Sequence, residues 1–204
     1  MTNFSKLAFC ALLLGAGVFS SCSKDDNDDT VVAKPSIYAR LGGTTLVDDP
    51  DSTDPAVTIE AGRLAYRKVV NSTIQNIVAD VPSAANPSGN AGNLSAHFAP
   101  LLAEVGAGNT TNLAELVDNL TDFFSFNTGG TNAVNTYRGL DMVAAHNPAV
   151  NNRMGVKATN ADYTKFEGYV GAAAQANGVA ANTELYTDVV AVLESLRSPI
   201  VQAP

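Results

Sequence analysis

Four stretches of this chain repeat their apolar residues with the period of an α-helix, and no stretch alternates them with the period of a strand. From residue 62 onward Tyr66, Val70, Ile74, Ile77 and Val81 fall at i, i+4, i+8, i+11 and i+15, which is one face of a helix. Over 112–126 the same holds for Leu113, Leu116, Val117, Leu120, Phe123 and Phe124. Asn112, with Glu115 three residues on, reads as its N-cap and capping box. Residues 160–177 form a third helix through Tyr163, Phe166 and Val170, stopped by Gly178, and 183–197 a fourth through Leu185, Val189, Val192, Leu193 and Leu196. A short helix is expected over 36–43, ended by Gly42 and Gly43. No alternating run is bounded by hairpin dipeptides, so the fold class is all-α, with long connections at 44–61, 82–95 and 147–159.

The first 35 residues do not share this pattern. Residues 1–22, MTNFSKLAFCALLLGAGVFSSC, place Lys6 before an apolar run from Leu7 to Phe19 that is too short to span a bilayer. Ser20 and Ser21 then precede Cys22. The arrangement resembles a bacterial lipobox, which implies a signal peptide over 1–21 and a lipid anchor on Cys22. An ordinary secretory cleavage or a buried helix are the other readings. Residues 22–35 are acidic and polar, which makes them a solvated tether, as either a surface-export signal or a plain spacer. The expected location is the cell envelope, lipid-anchored to the outer membrane and surface-exposed if the acidic run is an export signal. The folded domain is then 36–201.

Charge and composition narrow the function classes. The net charge is −8, which repels phosphate backbones and argues against nucleic acid as a partner. The two cysteines, Cys10 and Cys22, both precede the domain, which leaves no thiol in it for a disulfide or a zinc cluster. Only His97 and His146 can supply an imidazole, and no Ser–His–Asp or Cys–His set is visible. Asp49, Asp51, Thr53 and Glu60 imitate the spacing of a calcium loop, but Asp54 and Pro55 stand where the sharp turn needs glycine, so a solvated loop is expected there.

The remaining motifs carry a resemblance. SIYARLGG (36–43), DFFSFNTGG (122–130), YRGLDMVAAH (137–146) and the closing GVAANTELYTDVVAVLESLRSPIV together resemble the group I truncated haemoglobins over roughly 36–201. The spacing of Tyr137, Gly139, Met142 and His146 matches that family without a gap. The resemblance implies a truncated-globin-like two-over-two helical sandwich with loop insertions, around a haem (iron protoporphyrin). It makes His146 the metal ligand, the proximal histidine of the iron. A neutral imidazole suits that role, and Met142, one turn earlier, faces the same pocket. Tyr137 is expected to pack on the porphyrin, Phe98 to wedge against it, and Phe123 and Phe124 to line the cofactor pocket.

The resemblance also implies a distal side, and here the chain departs from the family. A tyrosine and a glutamine usually hold the dioxygen ligand. The matching positions are Ile74 and Leu120, with Leu116 one turn earlier, and all three are apolar. Losing a charge-assisted hydrogen bond of this kind costs about 1.5–3 kcal/mol, a tenfold to hundredfold weakening. His97, in LSAHFAPLL, is either an exposed or capping histidine, the commoner case, or a sixth iron ligand. Arg138 and Arg153 are surface arginines or partners for haem propionates. The expected function is binding of dioxygen or another diatomic gas at a His-ligated haem, with sensing, transport and redox chemistry all open. The alternatives are a haem-acquisition or haem-storage lipoprotein with a haem-transfer partner, and a haem-free globin-shaped scaffold.

Overall fold

The computed structural model describes residues 33–79 and 94–204. The leader, Cys22, most of the tether, Val81 and most of the 82–95 connection lie outside the described residues. The chain divides into two units, Met1–Ala33 and Lys34–Pro204, and the second holds every element described below.

That unit is mostly helical. In chain order it contains α1 (Ile37–Arg40), β1 (Leu46–Asp48), β2 (Thr58–Glu60), α2 (Ala61–Ala79), α3 (Leu94–His97), α4 (Ala99–Gly106), α5 (Thr111–Asn127), a 3-10 turn (Ala133–Asn135), α6 (Met142–Ala145), α7 (Asn160–Ala176) and α8 (Glu184–Ile200). The four long helices stand where the apolar period puts them. Their ends follow local chemistry. Thr159 and Asp162 form a reciprocal capping box on α7, and the Thr183 hydroxyl accepts from Tyr186 N on α8 at 3.2 Å. Of the glycines expected to stop helices, Gly42, Gly43, Gly129 and Gly178 have positive φ, whereas Gly130, expected to end α5 together with Gly129, does not.

Two expectations are corrected. The connection 44–61 is not bare loop: β1 and β2 pair antiparallel, with Val47 opposite Ile59. Three-residue strands are too short to show an alternating pattern. Asn112 does not cap α5. The helix starts at Thr111 behind Thr110, and the Asn112 amide donates to Glu104 on α4 at 2.5 Å instead. A tertiary partner has taken the side chain that local pattern assigned to the helix end.

Helix α2 packs on α5 and α7, and α7 packs on α8. Tyr66, Val70 and Ile77 of α2 are buried together with Leu101, Tyr163, Val170, Ala173, Ala174, Leu193 and Ile200, and area of this kind is the main stabilising term. Lys34, at the end of the tether, reaches α8 through Glu184 at 2.6 Å and Asp188 at 2.5 Å. No helix among the described residues is long and apolar enough to cross a membrane.

A buried polar cluster fixes the chain that leads into the site. Asn135, fully buried, places its Nδ2 3.0 Å from both the Tyr38 hydroxyl and Glu60 Oε2. Its Oδ1 accepts from Arg63 at 3.2 Å, and Tyr38 in turn donates to Glu60. Burial and the Glu60 bond push the Tyr38 phenol up to about 12. These bonds tie α1, β2, α2 and the 3-10 turn together two residues before Tyr137, which is where buried polar networks specify one arrangement.

Candidate functional site

The apolar face of α5 does not end in the core. Thr121 and Ser125 are the fully buried residues of that helix, while Leu116, Leu120, Phe123 and Phe124 remain partly exposed. They are partly exposed because they line a cavity of about 400 Å³, within the roughly 300–1,000 Å³ typical of small-molecule sites. Phe98 borders it from the start of α4, Tyr163 and Phe166 from α7, and Leu196 and Ile200 from α8. Tyr137, Met142 and His146 also line it.

His146 is the C-cap of α6, a helix of a single turn. Asp141 starts that turn by accepting from Ala144 N at 2.9 Å. His146 Nδ1 lies 2.9 Å from the carbonyl oxygen of Met142. A carbonyl only accepts, so Nδ1 carries the proton and Nε2 keeps its lone pair. Burial, opposed by the Met142 bond, pushes the imidazole down to about 4, so the ring is neutral at pH 7. The Met142 side chain packs against Ala158, Tyr163 and Ile200, and the Tyr137 hydroxyl donates to the Leu140 carbonyl at 2.5 Å, with its ring edge-on to Phe123. No residue of α6 is fully buried.

Of the readings open for His97, an exposed or a helix-capping residue is ruled out. It is 2% exposed and lines the same cavity. Its Nδ1 lies 2.6 Å from the Val156 carbonyl, and its own carbonyl accepts from Gly155 N at 2.7 Å. Only glycine permits this clamp, because a Cβ at 155 overlaps the Ala96 carbonyl oxygen. Burial lowers the His97 pKa, against the Val156 bond, so this ring is neutral as well. The two imidazoles stand 5.8 Å apart, centre to centre, with their planes within 10° of parallel.

Ile74 does not line this cavity. It borders a smaller cleft of about 70 Å³ between α2, α4 and α5, which shares Phe98, Leu101, Leu116, Leu120, Phe124 and Phe166 with the first. Phe123 reaches only the main cavity. Both arginines are on the cavity rim. Arg153 is paired with Glu115 at 3.0 Å, whereas Arg138 is exposed and has no ion-pair partner among the described residues. Asn119, one helical turn beyond Leu116, also lines the cavity, and its amide has no hydrogen-bond partner among the described residues. The apolar period of α5 does not single it out, because the side chain is polar.

The calcium-like positions point to different partners. Asp49 and Asp51 pair with Arg67, and Glu60 turns inward to Tyr38, Asn132 and Asn135. Among the described residues no group of three or more His, Cys, Asp or Glu side chains is placed to hold a metal ion. A bare ion such as zinc needs about four protein donors. Two imidazoles with free Nε2 atoms suit a metal that brings its own equatorial donors, and haem iron is such a metal. The donor chemistry of the cavity therefore fits a haem. The class defined by fold and site is a mostly helical domain with a mostly apolar, two-histidine cavity. No family model, curated protein or solved structure matches the chain.

Proposed function

We propose that the chain is a haem-binding lipoprotein of truncated-haemoglobin type, lipid-anchored at Cys22 to the outer membrane, in which the His146 imidazole would hold the iron. The observation that carries the reading is the state of His146: neutral, lining the cavity, its Nδ1 committed to the Met142 carbonyl and its Nε2 left with a lone pair. Metal-binding histidines commonly hold their second nitrogen on a carbonyl in this way. Haem would supply a centre for diatomic ligands such as dioxygen and for one-electron chemistry. The packing of α2 on α5 and of α7 on α8 supports the two-over-two sandwich.

The chain's own residues would do three things. Leu116, Leu120, Phe98, Phe123 and Phe124 exclude water from the macrocycle. Tyr137 and Met142 shape the wall beside His146. Arg138, without an ion-pair partner among the described residues, offers its guanidinium to a propionate. One observation favours haem acquisition or storage as a second reading: the wall that carries His146 is a one-turn helix with no fully buried residue, so this side opens most readily.

The test is absorption spectroscopy of the chain reconstituted with haem, in ferric, ferrous and carbon monoxide-bound forms. A sharp Soret band that His146→Ala weakens, together with at least a roughly hundredfold loss of affinity (about 2.7 kcal/mol), is the expected result. An unchanged spectrum in that variant refutes the ligand assignment, and no Soret band at all selects the haem-free scaffold. Passage of haem to an apo-acceptor distinguishes storage from gas binding.

A further inference from the structure

The chain has two histidines in 204 residues, and the fold brings both into one cavity although they are far apart in sequence. Burying a neutral polar ring in apolar surroundings costs free energy unless the ring has a partner or a task. Each ring has half of its needs met. His97 Nδ1 is held by the Val156 carbonyl and His146 Nδ1 by the Met142 carbonyl. By the tautomer argument above, both Nε2 atoms keep their lone pairs. Phe98 fixes the His97 ring further by an edge contact, 5.0 Å between centres at 84°.

We infer that His97 and His146 are the two axial ligands of one metal, so that the haem iron of the proposed site is six-coordinate through two imidazoles. The inference rests on the haem-binding reading and adds its second ligand. The spacing supports it. Two metal–imidazole bonds of about 2.0 Å plus two ring radii separate the ring centres by roughly 6 Å, and the observed separation is 5.8 Å. The Asp162 carboxylate, close enough to act on His97 electrostatically, is engaged elsewhere. The nearby Asp162 carboxylate receives the Thr159 amide and hydroxyl, each at 2.8 Å. A site of this kind resists casual gas binding, because an external ligand must first displace His97. It suits one-electron transfer to a redox partner, or secure holding of haem, better than gas carriage.

The experiment uses the full chain loaded with ferric protoporphyrin, read by absorption and electron paramagnetic resonance at pH 7. Wild type is expected to be low-spin. His97→Leu should become high-spin and return to low-spin on adding free imidazole. In the ferrous state it should bind carbon monoxide about tenfold faster or more, since the competent five-coordinate fraction no longer competes with an internal ligand. His97→Gln, which keeps a polar side chain of similar size, should show the same change, so a folding defect in one variant does not decide the matter. A high-spin wild type, or His97 variants that match wild type in spin state and carbon monoxide rate, overturns the two-imidazole assignment and leaves the His146-ligated haem in place. Failure of the wild type to take up haem overturns both.

Discussion

The two histidines face the same cavity but are held in different ways. His146 is positioned by its own turn: Asp141 caps the helix, and Met142, four residues back, takes Nδ1. His97 is positioned by a segment nearly sixty residues away, where Gly155 and Val156 grip its carbonyl and its ring. One placement is local and needs little beyond α6. The other exists only when the 147–159 connection lies across α3. The His146 wall should therefore be the labile side of the site and the His97 wall the rigid one, because local turns open at less cost than packed tertiary contacts.

Substituting the glycine clamp tests the rigid side most severely. In Gly155→Ala the new methyl meets the backbone carbonyl of Ala96, which has no flexible end to move aside. We expect a loss of about 3 kcal/mol in urea unfolding, the upper end of overpacking costs, with His97 displaced from the cavity. A wild-type midpoint would show that the 155–97 contact is not rigid.

Acid tests both walls together. His146 holds a folded pKa of about 4, and His97 is also depressed, whereas an unfolded histidine titrates near 6.5. As pH falls below 6.5 the unfolded chain takes up protons that the folded chain refuses, so stability present above that pH is lost on the way to about 4. Between pH 6.5 and pH 5 His146 alone accounts for about 2 kcal/mol. Urea midpoints of the haem-free chain should fall over this range, and His146→Gln should flatten the fall. Equal slopes in the two proteins would mean that the ring is not buried neutral.

The smallest effect belongs to the local cap. Asp141→Ala removes the bond to Ala144 N, worth about 1 kcal/mol. The expected outcome is haem affinity reduced several-fold, with little change in the global melting temperature, because α6 contributes no fully buried residue. A drop in melting temperature as large as that of Gly155→Ala would erase the distinction between the two walls.

What was legible in the sequence follows the same division. The four long helices, the glycine stops after α5 and α7 and the placing of His146 behind Met142 all depend on neighbours within a turn or two, and period and capping chemistry report such neighbours directly. The hairpin at 46–60 was missed because its strands are three residues long. The cap at Asn112 was misread because Glu104 competes for the same amide. The sequence leaves His97 open between an exposed or capping residue and an iron ligand, because nothing near it in sequence reveals the Val156 carbonyl. Ile74 sat on the expected helix but beside the smaller cleft, since the period of α2 gives a face and not the neighbour against which it packs.

The sequence by itself determined a mostly helical domain and an imidazole set behind a one-turn helix, because backbone hydrogen bonds and caps act over a few residues. Only the tertiary structure decided that the apolar face of α5 lines a cavity and that the second histidine joins the first. Those outcomes depend on which surfaces meet after the chain has closed on itself, and burial of that kind is a property of partners distant in sequence.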